Sequence, residues 1–252
     1  MRKTVRLALP LLLCLILAGC AKKPPQKHEL VLPEGYPTAQ DELGADAYAG
    51  ALDHKDTVYY VIHDFYNKKS EGSLHILPRF ETYQQTTEYT CGVASARMVL
   101  HWFGVDGYDE MQLADLVQIN EEKGTSVEGL KDLFVSLGWQ VDSHAETTPR
   151  FSTVEEWEAY VLERIDAGIP IMVDWVDWAG HWQVVIGVDT CGTEDPYDDV
   201  LILADPYDIT DHYQDGYYTF PLGRFFDMWR EGPCAQKDAP YEQPFVTAFP
   251  QS

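Results

Sequence analysis

Helical and strand-like patterns occupy separate halves of this chain, and this separation is the strongest constraint on its fold. Helical patterns dominate from Cys91 to Gly168, interrupted by one short predicted strand at 139–144, with capping sequences at 125–128 and 153–156. Segregated blocks of this kind predict an α+β fold, because a parallel α/β sheet would alternate its helices and strands along the chain. The strand-like runs, rich in β-branched and apolar residues, are 169–176, 181–189, 200–204 and 217–220.

The N-terminus has the composition of a lipoprotein signal peptide. Residues 1–6 are basic, and residues 7–17 form an apolar run too short to span a bilayer as a mature helix. The run ends in Leu17-Ala-Gly-Cys20, which resembles the bacterial lipoprotein box. This resemblance implies cleavage of residues 1–19 and lipidation of Cys20; an ordinary signal peptide is the alternative. We therefore expect export and lipid attachment to a bacterial membrane, facing outside the cytoplasm.

Residues 20–56 are predicted to form a flexible, lipid-attached tether in front of one folded domain. The first part is rich in Lys and Pro and lacks hydrophobic periodicity, and the stretch 41–56 is acidic and rich in Ala. Residues 57–252 number about 200, which suits a single domain with a substantial core. The first predicted strand of that domain is Thr57–His63.

The strongly acidic composition argues against one large class of partners. The chain has 41 Asp and Glu against 18 Lys and Arg, a net charge of −23 at pH 7, and loss of the three basic residues of the signal peptide would take the charge to −26. Nucleic acids bind to basic surfaces, so we do not expect a nucleic-acid partner. The same charge disfavours electrostatic docking on anionic lipid, which leaves the N-terminal lipid as the expected membrane contact.

Three cysteines remain once Cys14 leaves with the signal peptide and Cys20 carries the lipid. In an exported protein, Cys191 and Cys234 could form a disulfide and leave Cys91 as the free thiol. Both could equally remain unpaired, since the sequence gives no Cα separation.

Cys91 has the local setting of an activated thiol. It stands at the predicted first turn of a helix that extends to Phe103, where the positive end of the helix dipole favours the thiolate. Gln85 lies six residues upstream and could direct a side-chain N–H at a developing oxyanion. The segment is therefore a candidate for nucleophilic catalysis, with Gln84 as a competitor for the role of Gln85.

A catalytic thiol needs an imidazole base, and His181 has the most distinctive setting of the eight histidines. It follows Gly180 and opens a strand-like run that would hold the ring firmly at a strand mouth. His101 lies ten residues after Cys91 on the same predicted helix, on the order of 15 Å away, which is too far for proton transfer. A core histidine with a satisfied hydrogen bond is the alternative reading of His181.

Asp205 is the candidate for the group that orients the imidazole. It follows the apolar run Leu201–Ala204, so its carboxylate would lie at the end of a strand near His181. An Asp-Pro turn without a catalytic role is the alternative, because Pro206 follows directly.

The order of these segments resembles that of the papain-like cysteine peptidases, and most closely the stand-alone relatives of the double-glycine (bacteriocin leader) peptidase family. The resemblance covers about residues 77–229. It implies an N-terminal helical part, with the catalytic cysteine at a helix start, packed on a C-terminal antiparallel sheet. The matching pieces are Gln85 with Cys91-Gly92, Gly180–Asp189, Ile202–Pro206, Gly168–Val173 and Gly216–Trp229.

The resemblance also implies a role for each residue. Cys91 would attack a carbonyl carbon, His181 would carry its proton to the leaving group, and Asp205 would orient His181. Gln85 and the backbone N–H of Cys91 would form the oxyanion hole. No cofactor and no metal is expected, and the acidic residues of 194–215 fit no EF-hand loop.

The resulting expectation is a cell-surface, lipid-anchored cysteine hydrolase that cleaves peptide or amide bonds in a peptide or protein substrate. Two alternatives keep the same cleft: a non-catalytic lipoprotein that binds peptides, and an acyl transferase with an amine acceptor. The presence of all four candidate residues favours an enzyme. The tryptophans that flank His181 are expected to pack in the core; they are Trp175, Trp178 and Trp182.

Overall fold

The computed structural model describes residues 63–119, 124–177, 180–209, 214–231 and 241–251. The chain divides after His63 into two units, and only the second, from Asp64 onward, contributes more than one described residue. The predicted signal peptide, the tether and the strand at 57–63 therefore lie outside the described residues, apart from His63. So do Cys20, Trp178 and Cys234. The first unit and the domain boundary at residue 57 stay predictions.

Helices occupy the first half of the second unit, with one more near its end. Within the described residues, none has the length and apolar composition to cross a bilayer. Helix α1 begins at Cys91, as predicted. The helices are α1 (Cys91–Trp102), α2 (Glu110–Val117), α3 (Val127–Ser136), α4 (Val154–Asp166) and α5 (Leu222–Glu231).

Short polar side chains define where α2, α3 and α4 begin. Asp109 and Thr153 cap α2 and α4 by accepting a backbone N–H from the third helical residue. The capping sequence predicted at 125–128 is shifted by one residue, because Ser126 is the N-cap and accepts the Gly129 N–H at 3.0 Å. Glu128 is then the second helical residue and cannot complete the predicted box.

The strands form one antiparallel sheet in the described part of the chain. Its order is β2-β7-β3-β4-β5-β6, and β1 pairs with the distal end of β4. Every pairing is antiparallel, so the predicted α+β class is confirmed. The strands are β1 (Leu74–Ile76), β2 (Trp139–Glu146), β3 (Ile171–Trp175), β4 (His181–Asp189), β5 (Val200–Ala204), β6 (Tyr217–Pro221) and β7 (Glu242–Pro250).

Strand β7 was not predicted from the sequence, although it lies inside the sheet between β2 and β3. Its run contains Pro244, and a proline normally argues against an interior strand because it cannot donate to the ladder. Pro244 is tolerated here because the register between β2 and β7 shifts beside it, between the pairs His144–Phe245 and Glu146–Glu242.

The start of α1 is fixed against the start of β4 by three contacts. Helix α1 packs on β3 and β4, and Ser95 Oγ donates to the Trp182 carbonyl oxygen at 3.2 Å. Trp182 Nε1 donates to the Thr125 carbonyl oxygen at 2.9 Å. A Cβ on Gly92 would lie 2.4 Å from the Cβ of Thr125, so only glycine fits directly after Cys91. The packing therefore holds Cys91 beside the first residue of β4, which is His181.

Candidate active site

Cys91 is the first residue of α1, and its side chain is a free thiol buried to 9 % exposure. The preceding Thr90 is fully buried, and its carbonyl oxygen accepts the first helical hydrogen bond, from the Ala94 N–H at 2.9 Å. The sulfur thus lies at the positive end of the α1 dipole, which stabilises a negative charge placed there.

His181 is the first residue of β4 and is almost completely buried. Gly180 precedes it with φ +123°, a conformation that only glycine adopts readily, and donates its N–H to the Asp177 carbonyl oxygen at 2.9 Å. The His181 Nε2 atom lies 2.7 Å from Asp205 Oδ1. Because a carboxylate only accepts, Nε2 donates and Nδ1 is the nitrogen left for the Cys91 thiol.

The surroundings of His181 favour its protonated form. Burial alone lowers the pKa of the imidazole, but hydrogen bonds to Asp205 and Cys91, together with their negative charges, raise it to about 10. The imidazole is therefore in contact with both of the other candidate triad residues. An imidazolium held between a carboxylate and a thiolate is the resting state of a thiol nucleophile with its base.

Asp205 is fully buried directly after β5, and its carboxylate accepts three hydrogen bonds. Oδ1 accepts from His181 Nε2 at 2.7 Å and from the Tyr207 N–H at 2.8 Å. Oδ2 accepts from Gln183 Nε2 at 2.8 Å. Because both carboxylate oxygens are bonded within the protein, the carboxylate keeps one orientation toward His181. The turn expected of Asp-Pro is present as well, at residues 206–207.

The two neighbouring glutamines have different environments. Gln84 Nε2 donates to the Asp205 carbonyl oxygen at 2.9 Å, and its Oε1 accepts the Asp208 N–H at 3.0 Å. Gln85 donates one Nε2 hydrogen to the Thr87 carbonyl oxygen at 2.6 Å, which leaves its second N–H for another acceptor. Gln84 is thus committed to the loop after β5, and Gln85 is the better candidate for an oxyanion donor.

Glu110, a residue that the sequence analysis did not single out, holds the backbone beside Gln85. It is the first residue of α2, only 5 % exposed, and its carboxylate accepts the Thr86 N–H at 2.9 Å and the Thr86 hydroxyl at 3.0 Å. Asp109-Glu110 reads in the sequence as ordinary acidic residues at a helix start. Only the tertiary contact shows that this carboxylate positions the loop of the oxyanion candidate.

Asp174 is a second acid that sequence reasoning missed, although an aspartate inside an apolar strand is out of pattern. It lies on β3, is 5 % exposed, and its carboxylate accepts the backbone N–H of His181. Burial raises its pKa to about 7, although the His181 charge and the hydrogen bond from His181 act in the opposite direction. The base is therefore flanked by two carboxyl groups, Asp205 at its ring and Asp174 at its backbone.

The other described histidines with recorded side-chain partners bind elsewhere. His101 contacts Glu81 at 3.1 Å and also Asp106. His75 pairs with Asp166 at 2.7 Å, and His144 contacts the Thr148 carbonyl oxygen at 2.8 Å.

Three further sequence predictions concern residues around the site. Trp175 and Trp182 are buried core residues, as expected, while Trp178 lies outside the described residues. Cys191 is an exposed free thiol, and Cys234 lies outside the described residues, so their pairing stays a prediction. No cluster of three or more His, Cys, Asp or Glu side chains suited to a metal ion occurs in the described part of the chain.

Comparison with known proteins identifies one family and a group of similar solved structures. The model of the Peptidase_C39 like family matches residues 78–233. No curated protein matches the chain. One similar solved structure is the peptidase domain of Streptococcus ComA, a bi-functional ABC transporter involved in a quorum sensing pathway. The two sequences are 18 % identical, the match covers 68 % of this chain and 99 % of that chain, and the TM-score is 0.45. Another is a double glycine motif protease from an AMS/PCAT transporter, in complex with the leader peptide: 13 % identity over 68 % of this chain and 91 % of that chain, TM-score 0.42.

Proposed function

Because this chain belongs to the Peptidase_C39 like family, as its motifs predicted, we propose that it is a cysteine hydrolase of peptide or amide bonds with Cys91 as nucleophile. One observation carries the proposal. The buried His181 ring binds the Asp205 carboxylate at 2.7 Å through Nε2 and contacts the Cys91 thiol. A nucleophile, a base and an orienting carboxylate in this order form the arrangement required for covalent acyl transfer.

The first half-reaction forms an acyl-enzyme. The proton of the Cys91 thiol rests on Nδ1 of His181, and the thiolate attacks the carbonyl carbon of the scissile bond. The carbonyl oxygen becomes an oxyanion, which Gln85 Nε2 and the Cys91 N–H stabilise. When the carbon–nitrogen bond breaks, the leaving amine takes the proton from Nδ1, and a thioester with Cys91 remains.

The second half-reaction regenerates the thiol. His181 Nδ1, now without its proton, accepts one from a water molecule as the water oxygen attacks the thioester carbon. The carbon–sulfur bond then breaks, the acid product leaves, and the proton returns to the Cys91–His181 pair. An amine in place of water would give acyl transfer through the same atoms.

The location and the partner follow from the sequence. The lipoprotein box at Cys20 supports attachment to a bacterial membrane through lipid alone, with the site outside the cytoplasm. The family supports a peptide or protein substrate, and the net charge of −23 argues against nucleic acid. A Cys20→Ser variant should lose incorporation of radiolabelled palmitate and move from the membrane to the soluble fraction. Unchanged labelling and fractionation would contradict the anchor.

The catalytic proposal is tested by combining thiol alkylation with peptide digestion. Iodoacetamide should modify Cys91 rapidly at pH 6, as followed by mass spectrometry of the Cys91 peptide, and His181→Gln should slow this modification at least about a hundredfold. After reduction of the sample, the exposed Cys191 serves as an internal reference for a thiol that is not activated, because burial and neighbouring aspartates raise its pKa. A peptide library should be cleaved by the wild type and not by Cys91→Ala.

The outcomes separate the three candidate functions. Cleavage to free acids that depends on Cys91 and needs no added amine supports a hydrolase, whereas acyl products that form only when an amine acceptor such as lysine is added indicate a transferase. A third outcome would contradict the enzyme hypothesis and favour a binding module. In that case library peptides are retained without any product, and Cys91 is alkylated slowly in both the wild type and His181→Gln.

A further inference from the structure

We propose that Gln183 is a positioning residue of the triad, which holds the Asp205 carboxylate aimed at His181, and that Trp175 fixes the direction of the Gln183 amide. The proposal rests on the function proposed above. It adds two residues to the catalytic apparatus that act through Asp205.

The position of Gln183 in the sheet explains its reach. Gln183 and His181 are two residues apart on β4, so their side chains lie on the same face of the strand. Strand β5 is the next strand, and Asp205 follows its last residue. The Gln183 amide therefore lies next to the carboxylate that binds His181, and it donates to Asp205 Oδ2 at 2.8 Å.

Trp175 determines which end of the Gln183 amide faces Asp205. Trp175 lies opposite His181 in the pairing of β3 and β4, and its Nε1 donates to Gln183 Oε1 at 2.7 Å. An indole nitrogen can only donate, so the amide oxygen must face Trp175 and the amide nitrogen must face the carboxylate. The nitrogen also approaches Asp177 Oδ2 at 3.5 Å, a second acceptor on the same side.

An amide at this place is not required for packing. Gln183 is completely buried, and from Trp182 to Val188 the remaining side chains of β4 are apolar or absent. An apolar side chain would fill this position without the cost of desolvating an amide. The cost is offset because the amide donates to Oδ2 of a buried carboxylate.

The consequence for the site is electrostatic. A carboxylate with donors on both oxygens keeps its direction, and its charge supports the imidazolium of His181. Without the Gln183 donor, Asp205 stabilises the imidazolium less, so the Cys91–His181 ion pair should exist over a narrower pH range.

The test is the pH dependence of Cys91 alkylation by iodoacetamide in the full chain, followed by mass spectrometry of the Cys91 peptide. Gln183→Met keeps a side chain of similar size and shape and removes the N–H donor. We expect the pH range over which Cys91 is alkylated rapidly to narrow by about one pH unit or more in this variant. Gln183→Glu supplies a donor only while the introduced carboxyl group is protonated. Its alkylation rate should therefore approach the wild-type rate at low pH and fall as that carboxyl group ionises.

Gln243→Met is the matched control, because Gln243 is also completely buried and its amide bonds to the backbone of Phe151, away from the triad. It should lower the melting temperature and leave the Cys91 profile in place. An unchanged profile in Gln183→Met, or equal profile shifts in the two Met variants, would overturn the role of Gln183. A wild type whose Cys91 reacts no faster than Cys191 at any pH would instead overturn the triad itself, so the two failures are distinguishable.

Discussion

The side chain of Gln84 joins the segment before α1 to the loop that carries Asp205. Its Nε2 donates to the Asp205 carbonyl oxygen at 2.9 Å, and its Oε1 accepts the Asp208 N–H at 3.0 Å. Beside it, the Gln85 backbone N–H donates to the Pro206 carbonyl oxygen at 2.7 Å. These bonds hold the oxyanion candidate and the orienting carboxylate in a fixed relation, although they are far apart in sequence.

Two adjacent glutamines should therefore give opposite phenotypes. Gln84→Ala leaves two backbone groups without partners and should lower the free energy of unfolding by about 1–3 kcal/mol, as measured by urea denaturation. Gln85→Ala should lower kcat by about 10²–10³ with little change in stability, because it removes one oxyanion donor. A loss of kcat in Gln84→Ala with none in Gln85→Ala would reverse the assignment.

Glu110 should affect turnover but not the formation of the thiolate. Its carboxylate holds Thr86, the residue after Gln85, through the backbone N–H and the hydroxyl group. Glu110→Ala should lower kcat/KM by about tenfold, because a displaced oxyanion donor stabilises the transition state less well. Alkylation of Cys91 by iodoacetamide displaces iodide from a saturated carbon and forms no oxyanion. Its rate should therefore be unchanged in Glu110→Ala.

Glu110→Gln is the control for that prediction, since an amide oxygen can still accept from Thr86. It should retain more activity than Glu110→Ala. If alkylation and turnover fall together in Glu110→Ala, the residue supports the fold of the whole site and not the oxyanion loop in particular.

The positions predicted correctly from the sequence are those that a local pattern marks. Cys91 stands at a helix start, His181 at a strand start after glycine, and Asp205 at a strand end before proline, and the structure brings the three together. Each of these positions is visible within a few residues of the chain. The order of the three segments then resembles that of a known family, and this resemblance predicts that the three residues lie together.

The residues that were missed have roles created by tertiary contacts. Gln183 and Asp174 are polar residues within apolar strands, and this can be seen in the sequence. Their hydrogen-bond partners depend on which strands become neighbours, which the sequence does not show. Glu110 looks like an ordinary residue of a helix start until the loop with Thr86 folds onto it. Strand β7 was not predicted because Pro244 argues against an interior strand. The proline fits there because the register with β2 shifts beside it. No local pattern carries such information.

Asp174 should make the stability of the protein fall as pH rises through about 7. Its pKa is raised by burial to about 7, above its value of 3.8 in an unfolded chain, so the folded state binds the proton more tightly. The contribution of Asp174 to the free energy of unfolding is therefore most favourable below about pH 4. Above about pH 7 the folded protein carries the full cost of a buried charge. Asp174→Asn mimics the protonated form and can still accept the His181 N–H through its amide oxygen.

At pH 8, Asp174→Asn should therefore unfold with a free energy about 1–4 kcal/mol higher than the wild type. The difference should shrink as the pH falls and disappear near about pH 4, where both side chains are neutral in the folded state. Urea denaturation across this range measures it. A variant that is less stable at pH 8 would show that ionised Asp174 is stabilised by its contact with His181 more than burial opposes it.

Asp199 offers the same test at the opposite end of β5 from Asp205. It is buried to 1 % exposure, and burial, followed by the charge and a hydrogen bond of Glu158 on α4, raises its pKa to about 6. The folded state again holds the proton more tightly than the unfolded chain, so stability falls as pH rises from about 4 through 6. Glu158→Gln and Asp199→Asn should each raise the melting temperature at pH 8 relative to the wild type, with a smaller gain at pH 5.

The two substitutions remove the same repulsion, so their gains at pH 8 should not add in the double variant. Glu163→Gln, on the same helix but against Arg164 at 3.4 Å, is the charge-matched control and should change the melting temperature little and equally at both pH values. Additive gains from Glu158→Gln and Asp199→Asn would mean that each carboxylate is destabilised by its surroundings alone. In that case, the pKa of Asp199 would stay near 6 in Glu158→Gln, which an NMR titration of the carboxyl carbon would show directly.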